Sequence, residues 1–266
     1  FAHYTLAALS KAGYLKHWVQ QNHDGLPQKA GFPQEAINEI HGAWFDPSNP
    51  VVPMTGSLRG DLFQWMLEEE QKADLVLTLG TSLCGMNADR MVETAGKKYV
   101  KRGKGLGAII IGFQRTQLDK LASLRIFSSI DEVMLLLAIE MKLPYNPVPY
   151  TPNIPEKAKT RRKHVFQVPY DPVTGKKSSN LIKWDLSKGA KITLTAGPGK
   201  GFNGHVTHTP DSSSSDVVYT VQFPCTREGS QEFGKFQKLY CLGTWFIEGA
   251  CKGILPQLPV VNTNAK

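Results

Sequence analysis

Asp74-Leu75-Val76-Leu77-Thr78-Leu79-Gly80-Thr81-Ser82 is the stretch on which the fold turns. A short apolar run stopped by glycine and hydroxyl residues is the pattern of a strand buried on both faces, as in parallel sheets. Gly107-Ala108-Ile109-Ile110-Ile111-Gly112 repeats it. Around these runs the spacing turns helical, over about residues 61–72, near Asn87 to Tyr99, and from Ile130 to Leu143, where Pro144 ends it. Upstream, residues 2–15 place Tyr4, Leu6, Ala7, Leu9 and Ala12 on one face of a helix closed by Gly13. Trp18-Val19-Gln20-Gln21 reads as a short strand ended by Asn22, Asp24, Gly25 and Pro27. Glu35 to Ile40 fits either a half-buried strand delivering His41-Gly42 to a loop or a short helix. Strands alternating with helices predict an α/β fold with a doubly wound parallel sheet, Rossmann-like, whose ligands sit at the carboxyl ends of the strands. Three loops fall there: Gln21 to Asp24, Gly80 to Ser82 and Gly112 to Gln114.

The pattern changes after residue 146. Five prolines between Pro144 and Pro155 mark an extended linker. Lys157-Ala158-Lys159-Thr160-Arg161-Arg162-Lys163-His164 follows, a basic block that reads either as a segment for nuclear import or nucleic acid, or as a solvated linker. Beyond it, Lys191 to Thr195, Val217 to Phe223 and Leu239 to Ile247 are strand-like, separated by Gly, Pro and Ser, with no convincing helix. The division is therefore an α/β domain over 1–146, a Pro-rich and basic linker over 147–164, and a small all-β domain over 165–266. Gly197-Pro198-Gly199-Lys200-Gly201 has the look of a phosphate cradle, but it lacks the Gly-Lys-Ser/Thr ending and a following helix, so a hairpin loop is the simpler reading.

Bulk properties narrow the class. The 266 residues, 41% hydrophobic and 20% charged, suffice for two cores. An excess of 31 Lys and Arg over 23 Asp and Glu gives a formal +8, which favours anionic partners such as a phosphate cofactor, chromatin or nucleic acid. The four cysteines, Cys84, Cys225, Cys241 and Cys251, form no Cys-x-x-Cys pair and predict neither a disulfide framework nor a zinc site. No apolar run approaches the roughly 18–20 residues of a membrane span, and no signal segment opens the chain. A start on Phe1, already in helical pattern by His3, points to a natural polypeptide that begins further upstream.

The order His3-x-x-Leu6-x-x-Leu9-x-x-x-Gly13-x-Leu15, Gln21-Asn22-His23-Asp24-Gly25-Leu26, Ala30-Gly31, His41-Gly42 and Gly80-Thr81-Ser82-Leu83 resembles the sirtuins, NAD-dependent protein lysine deacylases, from their middle onward. Ile109-Ile110-Ile111-Gly112-Phe113-Gln114-x-Thr116, with Asp119, Leu124-Arg125-Ile126 and Asp131-Glu132-Val133-Met134, is most similar to the nuclear sirtuins of the sixth-and-seventh mammalian type. The resemblance covers residues 3–143. It implies NAD as cofactor, an acyl-lysine protein or peptide as substrate, and a nuclear location, with a cytoplasmic one as the alternative.

By this resemblance Gln21, Asn22 and Asp24 contact the nicotinamide and its ribose, and His41 is the general base. Gly80, Thr81 and Ser82 approach ribose or phosphate, while Gly112, Gln114, Ser128, Ser129 and Ile130 line the adenosine side. Val52, Met54 and Gly56, in Val51-Val52-Pro53-Met54-Thr55-Gly56-Ser57, stand where the family pairs with the extended substrate. The residue types suit the chemistry. Cleaving nicotinamide from NAD develops positive charge on a ribose, which preorganised polar groups stabilise, and an imidazole titrating near ~6.5 can take a ribose hydroxyl proton at working pH.

Several departures stand beside the resemblance. Gly112 replaces the family's Asn, removing a side chain that could bond the adenosine ribose; Thr55 and Ser57 replace a Phe and a Glu in the substrate loop. The family's two zinc-binding cysteine pairs have no counterpart, since only Ala43 to Pro50 lies between His41-Gly42 and that loop. A hairpin held by Trp44 and Phe45, or packing from the C-terminal domain, would have to replace the metal. The family's Gly-Ala-Gly pyrophosphate loop is absent, so the core is incomplete at its N-terminus. Three functions remain in view: deacylation, ADP-ribosyl transfer or NAD hydrolysis on the same scaffold, and a non-catalytic scaffold that binds chromatin or protein.

Overall fold

The structure is a computed structural model that describes residues 1–144, 147–148, 150–210, 218–224 and 237–263. Cys225, Val217 and residues 145, 146 and 149 of the expected linker lie outside the described residues. The first half runs α1 (Ala2–Lys11), β1 (Trp18–Gln20), α2 (Leu26–Lys29), β2 (Ile37–Glu39), α3 (Gly60–Lys72), β3 (Leu75–Leu79), α4 (Asp89–Arg102), β4 (Gly107–Ile111), β5 (Leu124–Ile126) and α5 (Ile130–Glu140). The second runs β6 (Val165–Tyr170), β7 (Lys177–Asp185), β8 (Lys191–Leu194), β9 (Asn203–His208), β10 (Val218–Pro224), β11 (Gln237–Gly243), α6 (Thr244–Lys252) and β12 (Val260–Asn262).

The first half is an α/β core, Rossmann-like, with parallel sheets. In β4, Ala108, Ile110 and Ile111 are all buried, which fixes it as the central strand between β3 and β5. Helices α4 and the α5 side supply the cover: Val92 of α4 packs with Ala108 and Ile110, and Met134 and Ala138 of α5 pack with Leu6 and Leu9 of α1 and with Leu77 and Leu79. The sheet is not one continuous ladder. Strands β3, β4 and β5 form one parallel block; β1 and β2 form a second, in register Trp18↔Ile37 to Gln20↔Glu39. Among the described residues no backbone ladder joins the blocks, and their carboxyl ends meet instead through Gln21 Nε2, which donates to Thr81 Oγ1 at 3.4 Å.

The segment before β2 begins as a 3-10 turn over Gln34–Ala36 and becomes strand only at Ile37, so both readings of this piece hold in part. The strand at Leu124–Ile126 has no periodic signal of its own and is exposed at Leu124; it is an edge strand held by β4.

The second half is an antiparallel sheet in the order β11-β10-β9-β8-β12, with a separate β6-β7 hairpin. Period-two alternation buries Tyr219, Val221 and Phe223 of β10 against Trp184, Leu186, Val206 and Leu242. The expected run of strand from Leu239 to Ile247 is corrected: strand ends at Gly243, and Thr244–Lys252 is a helix. Its residues Trp245, Phe246, Ile247 and Ala250 all enter the core, leaving Thr244, Glu248 and Lys252, spaced by four, as a narrow polar stripe. Gly197 sits at φ +75° where a Cβ would come within 1.9 Å of Ser48 O, so its glycine is required by close packing of a loop onto the first half. Gly201 N donates to Leu194 O, closing the Gly-Pro-Gly-Lys-Gly segment as the hairpin between β8 and β9.

The short stretch Ala43 to Pro50 is likewise held by the second half. Phe45 meets Trp245 edge-on with centroids 5.3 Å apart, and Gly243 N donates to Phe45 O at 3.1 Å. Trp44, in contrast, is 58% exposed. In the basic block, Arg161, Arg162 and Lys163 are exposed, whereas Ala158 is buried in the second core. No helix among the described residues is long and apolar enough to cross a membrane.

Candidate functional site

The carboxyl ends of β1, β2 and β3 carry the loops Gln21 to Asp24, His41-Gly42 and Gly80 to Ser82. Within each parallel block the carboxyl ends lie together, and the Gln21–Thr81 contact brings the ends of the two blocks to each other. Gln21 bridges to Thr81 as described, and a backbone hydrogen bond links Gln21 to His41. His23 Nδ1 lies 2.8 Å from Gly42 O, and Trp44 N donates to His23 O at 3.0 Å, so the first two loops brace each other. Asn22 is exposed. Asp24 is half-buried, and its Oδ1 accepts from Leu26 N at 3.0 Å, capping the turn into α2.

His41 is half-buried, and its Nε2 is buried without a hydrogen-bond partner. Burial lowers its pKa below the usual 6.5, opposed by the hydrogen bond with Gln21, reinforced by nearby His23 and opposed by Asp89. The ring is therefore neutral at pH 7 and presents an unoccupied nitrogen, the state a general base needs. Gly42 fixes its position: at φ +87° a Cβ there would lie 2.3 Å from Pro50 O. Val52 N donates to His41 O at 3.0 Å, which seats the 51–57 segment beside the histidine. Within it Val52 is half-buried, Met54 is 87% exposed, and Gly56 is exposed in a turn closed onto Pro53 O.

Thr81 Oγ1 also accepts from Leu83 N at 3.3 Å, while Ser82 is exposed. Asp89 Oδ2 accepts from Gly85 N and Met86 N at 2.8 and 3.0 Å, holding the chain between this loop and α4. Ser129 is the residue before α5, and Ile130 packs in the same cluster as Leu77 and Leu79. Ser128 Oγ donates to Glu132 at 2.8 Å.

Gly112 and Gln114 are organised by a residue given no role from the sequence. Arg125, 11% exposed in its side chain, donates to Gly112 O at 2.9 Å and to Gln114 O, and pairs with Asp119 at 2.9 Å. One guanidinium thus fixes the loop after β4 from β5. The signal available was an Arg in an otherwise apolar strand with an Asp six residues before it.

Among the described residues no group of three or more His, Cys, Asp and Glu could hold a metal ion. Cys251 is buried, with its thiol pushed up to about 12, and Cys84 is exposed.

No family model matches the chain. It is similar to curated NAD-dependent protein deacetylases: 29% identical to SRT1 of Arabidopsis thaliana over 53% of this chain and 37% of that protein. It is also 28% identical to an NAD-dependent protein deacetylase of Saccharolobus solfataricus, over 46% of this chain and 58% of that one. Against sirtuin-7 of Rattus norvegicus the identity is 27%, over 53% and 45% of the two chains. The chain thus spans about a third to somewhat over half the length of these relatives. Among solved structures, a Sir2 enzyme aligns at TM-score 0.46 and 23% identity, over 53% of this chain and 67% of the other. About half of the chain is thus similar in sequence to NAD-dependent protein deacetylases.

Proposed function

We propose that the chain is the NAD-dependent lysine deacylase part of a sirtuin-type enzyme, releasing nicotinamide and passing the acyl group to ADP-ribose. The observation that carries this is His41: a neutral imidazole with a buried, unpartnered nitrogen, tied to the loop that bears Gln21, Asn22 and Asp24. These residues suit the nicotinamide-ribose half of NAD, since an orphaned buried acceptor beside polar loop ends lacks only a hydroxyl or amide to bond. When bound, NAD would supply a glycosidic bond whose cleavage leaves an electrophilic ribose carbon. Gln21, Asn22 and Asp24 would orient the ribose and favour its positive charge; Thr81 and Ser82 would add hydroxyl and amide contacts. Gln114, Gly112 and the turn Ser128-Ser129-Ile130 would face the adenosine. His41 Nε2 would receive a proton from a ribose hydroxyl. An extended acyl-lysine segment would lie along Val52, Met54 and Gly56, next to the His41 carbonyl. The exposed Arg161, Arg162 and Lys163 would serve nuclear import or chromatin contact.

Substituting His41→Ala tests the reading. Deacylation of an acetyl-lysine peptide should fall by about 10² to 10⁴, with NAD binding retained because the imidazole does not hold the adenosine half. The unsubstituted enzyme's rate should decline on the acid side only below pH 6.5, since His41 gains its proton at a pH lower than usual. Normal turnover by His41→Ala removes the mechanism. Nicotinamide release without peptide would point to NAD hydrolysis instead.

A further inference from the structure

Beside His41 stands a second buried polar group that the proposed chemistry does not yet use. Nε2 of His41 is buried without a hydrogen bond, so the bond between its ring and the Gln21 backbone uses Nδ1. Asp89, at the start of α4, is 7% exposed. Its Oδ2 accepts from Gly85 N and Met86 N, while Oδ1 is buried with no partner. A buried carboxylate with a free oxygen carries a desolvation cost that a nearby positive charge offsets.

Packing brings the two residues into one neighbourhood. Ile40 and Ala88, which precede them in the chain, lie in a single buried cluster with Met66, against which Val19 and Met91 pack. Two charged neighbours act on the ring: His23 disfavours its protonated form and Asp89 favours it. Asp24, the carboxylate of the sequence motif, acts instead on His3 and Glu39, and its Oδ1 is committed to Leu26 N. Burial leaves the charge of Asp89 weakly screened, so it reaches the ring without direct contact. An acidic residue in the first turn of a helix ordinarily serves the helix dipole. That role accounts for Oδ2 on its two amides, and leaves the buried, unpartnered Oδ1 unexplained.

We infer that Asp89 is a positioning residue for proton transfer: its buried carboxylate stabilises the imidazolium that forms when His41 Nε2 takes the ribose hydroxyl proton. This rests on His41 as the general base of the proposed deacylation. The proton passes to the Nε2 lone pair and stays there; Asp89 accepts none and contributes only its charge. Without that charge, a ring whose protonated form is already disfavoured by burial and by His23 becomes a weaker base. The same carboxylate holds Gly85 and Met86, and so links the ring to the loop that follows Gly80, Thr81 and Ser82.

Asp89→Asn keeps an oxygen to accept from Gly85 N and Met86 N and removes the charge. NMR titration of the His41 ring in the full chain, without NAD, should show a midpoint at lower pH than in the unsubstituted protein. With NAD and an acetyl-lysine peptide, kcat should fall roughly three- to tenfold, well short of the loss in His41→Ala, and the acid limb of kcat/KM should move to lower pH with the ring. Circular dichroism establishes that the variant is folded. If it is not, the carboxyl carbon signal of Asp89 in the unsubstituted protein decides, since it should move in step with the His41 ring. The inference is overturned by an unchanged His41 midpoint or an unchanged kcat in folded Asp89→Asn, or by an Asp89 signal that does not respond as the ring gains its proton. The ring titration needs no cofactor, which keeps the two failures apart. Normal turnover by His41→Ala would remove the deacylase reading and Asp89's role with it; an unchanged midpoint beside an inactive His41→Ala removes Asp89's role alone.

Discussion

Replacing Gly42 by alanine should damage the protein well beyond the usual cost of a glycine substitution, and a second glycine with the same backbone provides the scale. Gly42 and Gly31 have φ of +87° and +88°, so an alanine at either incurs the left-handed penalty of an L residue, about 1–2 kcal/mol. At Gly31 the new Cβ meets nothing within 4 Å. At Gly42 it would lie 2.3 Å from Pro50 O and 2.7 Å from Val51 Cα, well inside the roughly 3.5 Å at which carbon atoms touch. Both contacts are backbone, so no side chain can rotate away. The 49–52 segment must move, and it carries two hydrogen bonds across the turn, Val52 N to His41 O at 3.0 Å and Ala43 N to Asn49 O at 2.8 Å. Losing them adds about 1 kcal/mol each. Gly42→Ala should then cost about 3–4 kcal/mol, a fall in melting temperature of roughly 6–16 °C, against roughly 2–8 °C for Gly31→Ala. Scanning calorimetry of the two variants side by side measures the difference. Equal losses would refute the claim that Gly42 is fixed by contact as well as by conformation.

Three further outcomes follow from the geometry. Arg125→Lys keeps the charge but loses the fork that holds Gly112 O and Gln114 O; affinity for NAD should fall several-fold, with stability lower by about 2–4 kcal/mol, and unchanged NAD titration and melting curves would exclude an organising role. Purified protein should contain no stoichiometric zinc and should melt at the same temperature in chelator, because the Ala43 to Pro50 stretch is anchored by Phe45 on Trp245; one zinc per chain by elemental analysis contradicts this. Neutralising the exposed Arg161, Arg162 and Lys163 together should leave the melting curve nearly unchanged, since the Arg162–Asp185 pair at 3.2 Å is a surface ion pair, and, if the block is an import signal, should shift the protein from nucleus to cytoplasm. Unaltered nuclear accumulation would make the block a linker.

The parts of the fold that could be read from the sequence are those in which local pattern and burial agree. The runs at 75–79 and 107–111 are apolar because β4 is covered on both faces and β3 lies beside it, so their type and their parallel pairing follow from composition. Burial misled at Thr244–Lys252: Trp245, Phe246, Ile247, Gly249, Ala250 and Cys251 are all buried, and the polar stripe is narrowed to Thr244, Glu248 and Lys252, spaced by four, so the first residues read as a continuation of β11. The three-residue strand β5 is too short for any period to show. The loops at the strand ends were legible for a different reason, since Gly, Asn, Asp and Thr mark where apolar runs must stop.

What the sequence could not supply is how those loops are held to one another, because the contacts between them are distant along the chain. Gln21 reaches Thr81 across 60 positions, and Phe45 finds Trp245 across the junction of the two halves. The same holds for Glu39, Asp46 and Asn49. Glu39 reads as an ordinary polar position in an alternating strand, Asp46 and Asn49 as turn formers, and nothing local distinguishes them from solvated residues. In the folded chain all three are buried, burial and then Asp46 raise Glu39 to about 7, and Asn49 Oδ1 is left without a donor. The 43–50 stretch touches both halves: Asn49 Nδ2 donates to Glu39 O, and Phe45 packs on Trp245. A variant that undocks it, such as Phe45→Ala, should therefore lower stability by about 3–5 kcal/mol. It should also return Glu39 to an ordinary carboxylate pKa, observable as a shift of its side-chain NMR titration from about 7 toward 4.5. A titration still centred near 7 in that variant would show that the burial of Glu39 is set within the first half alone.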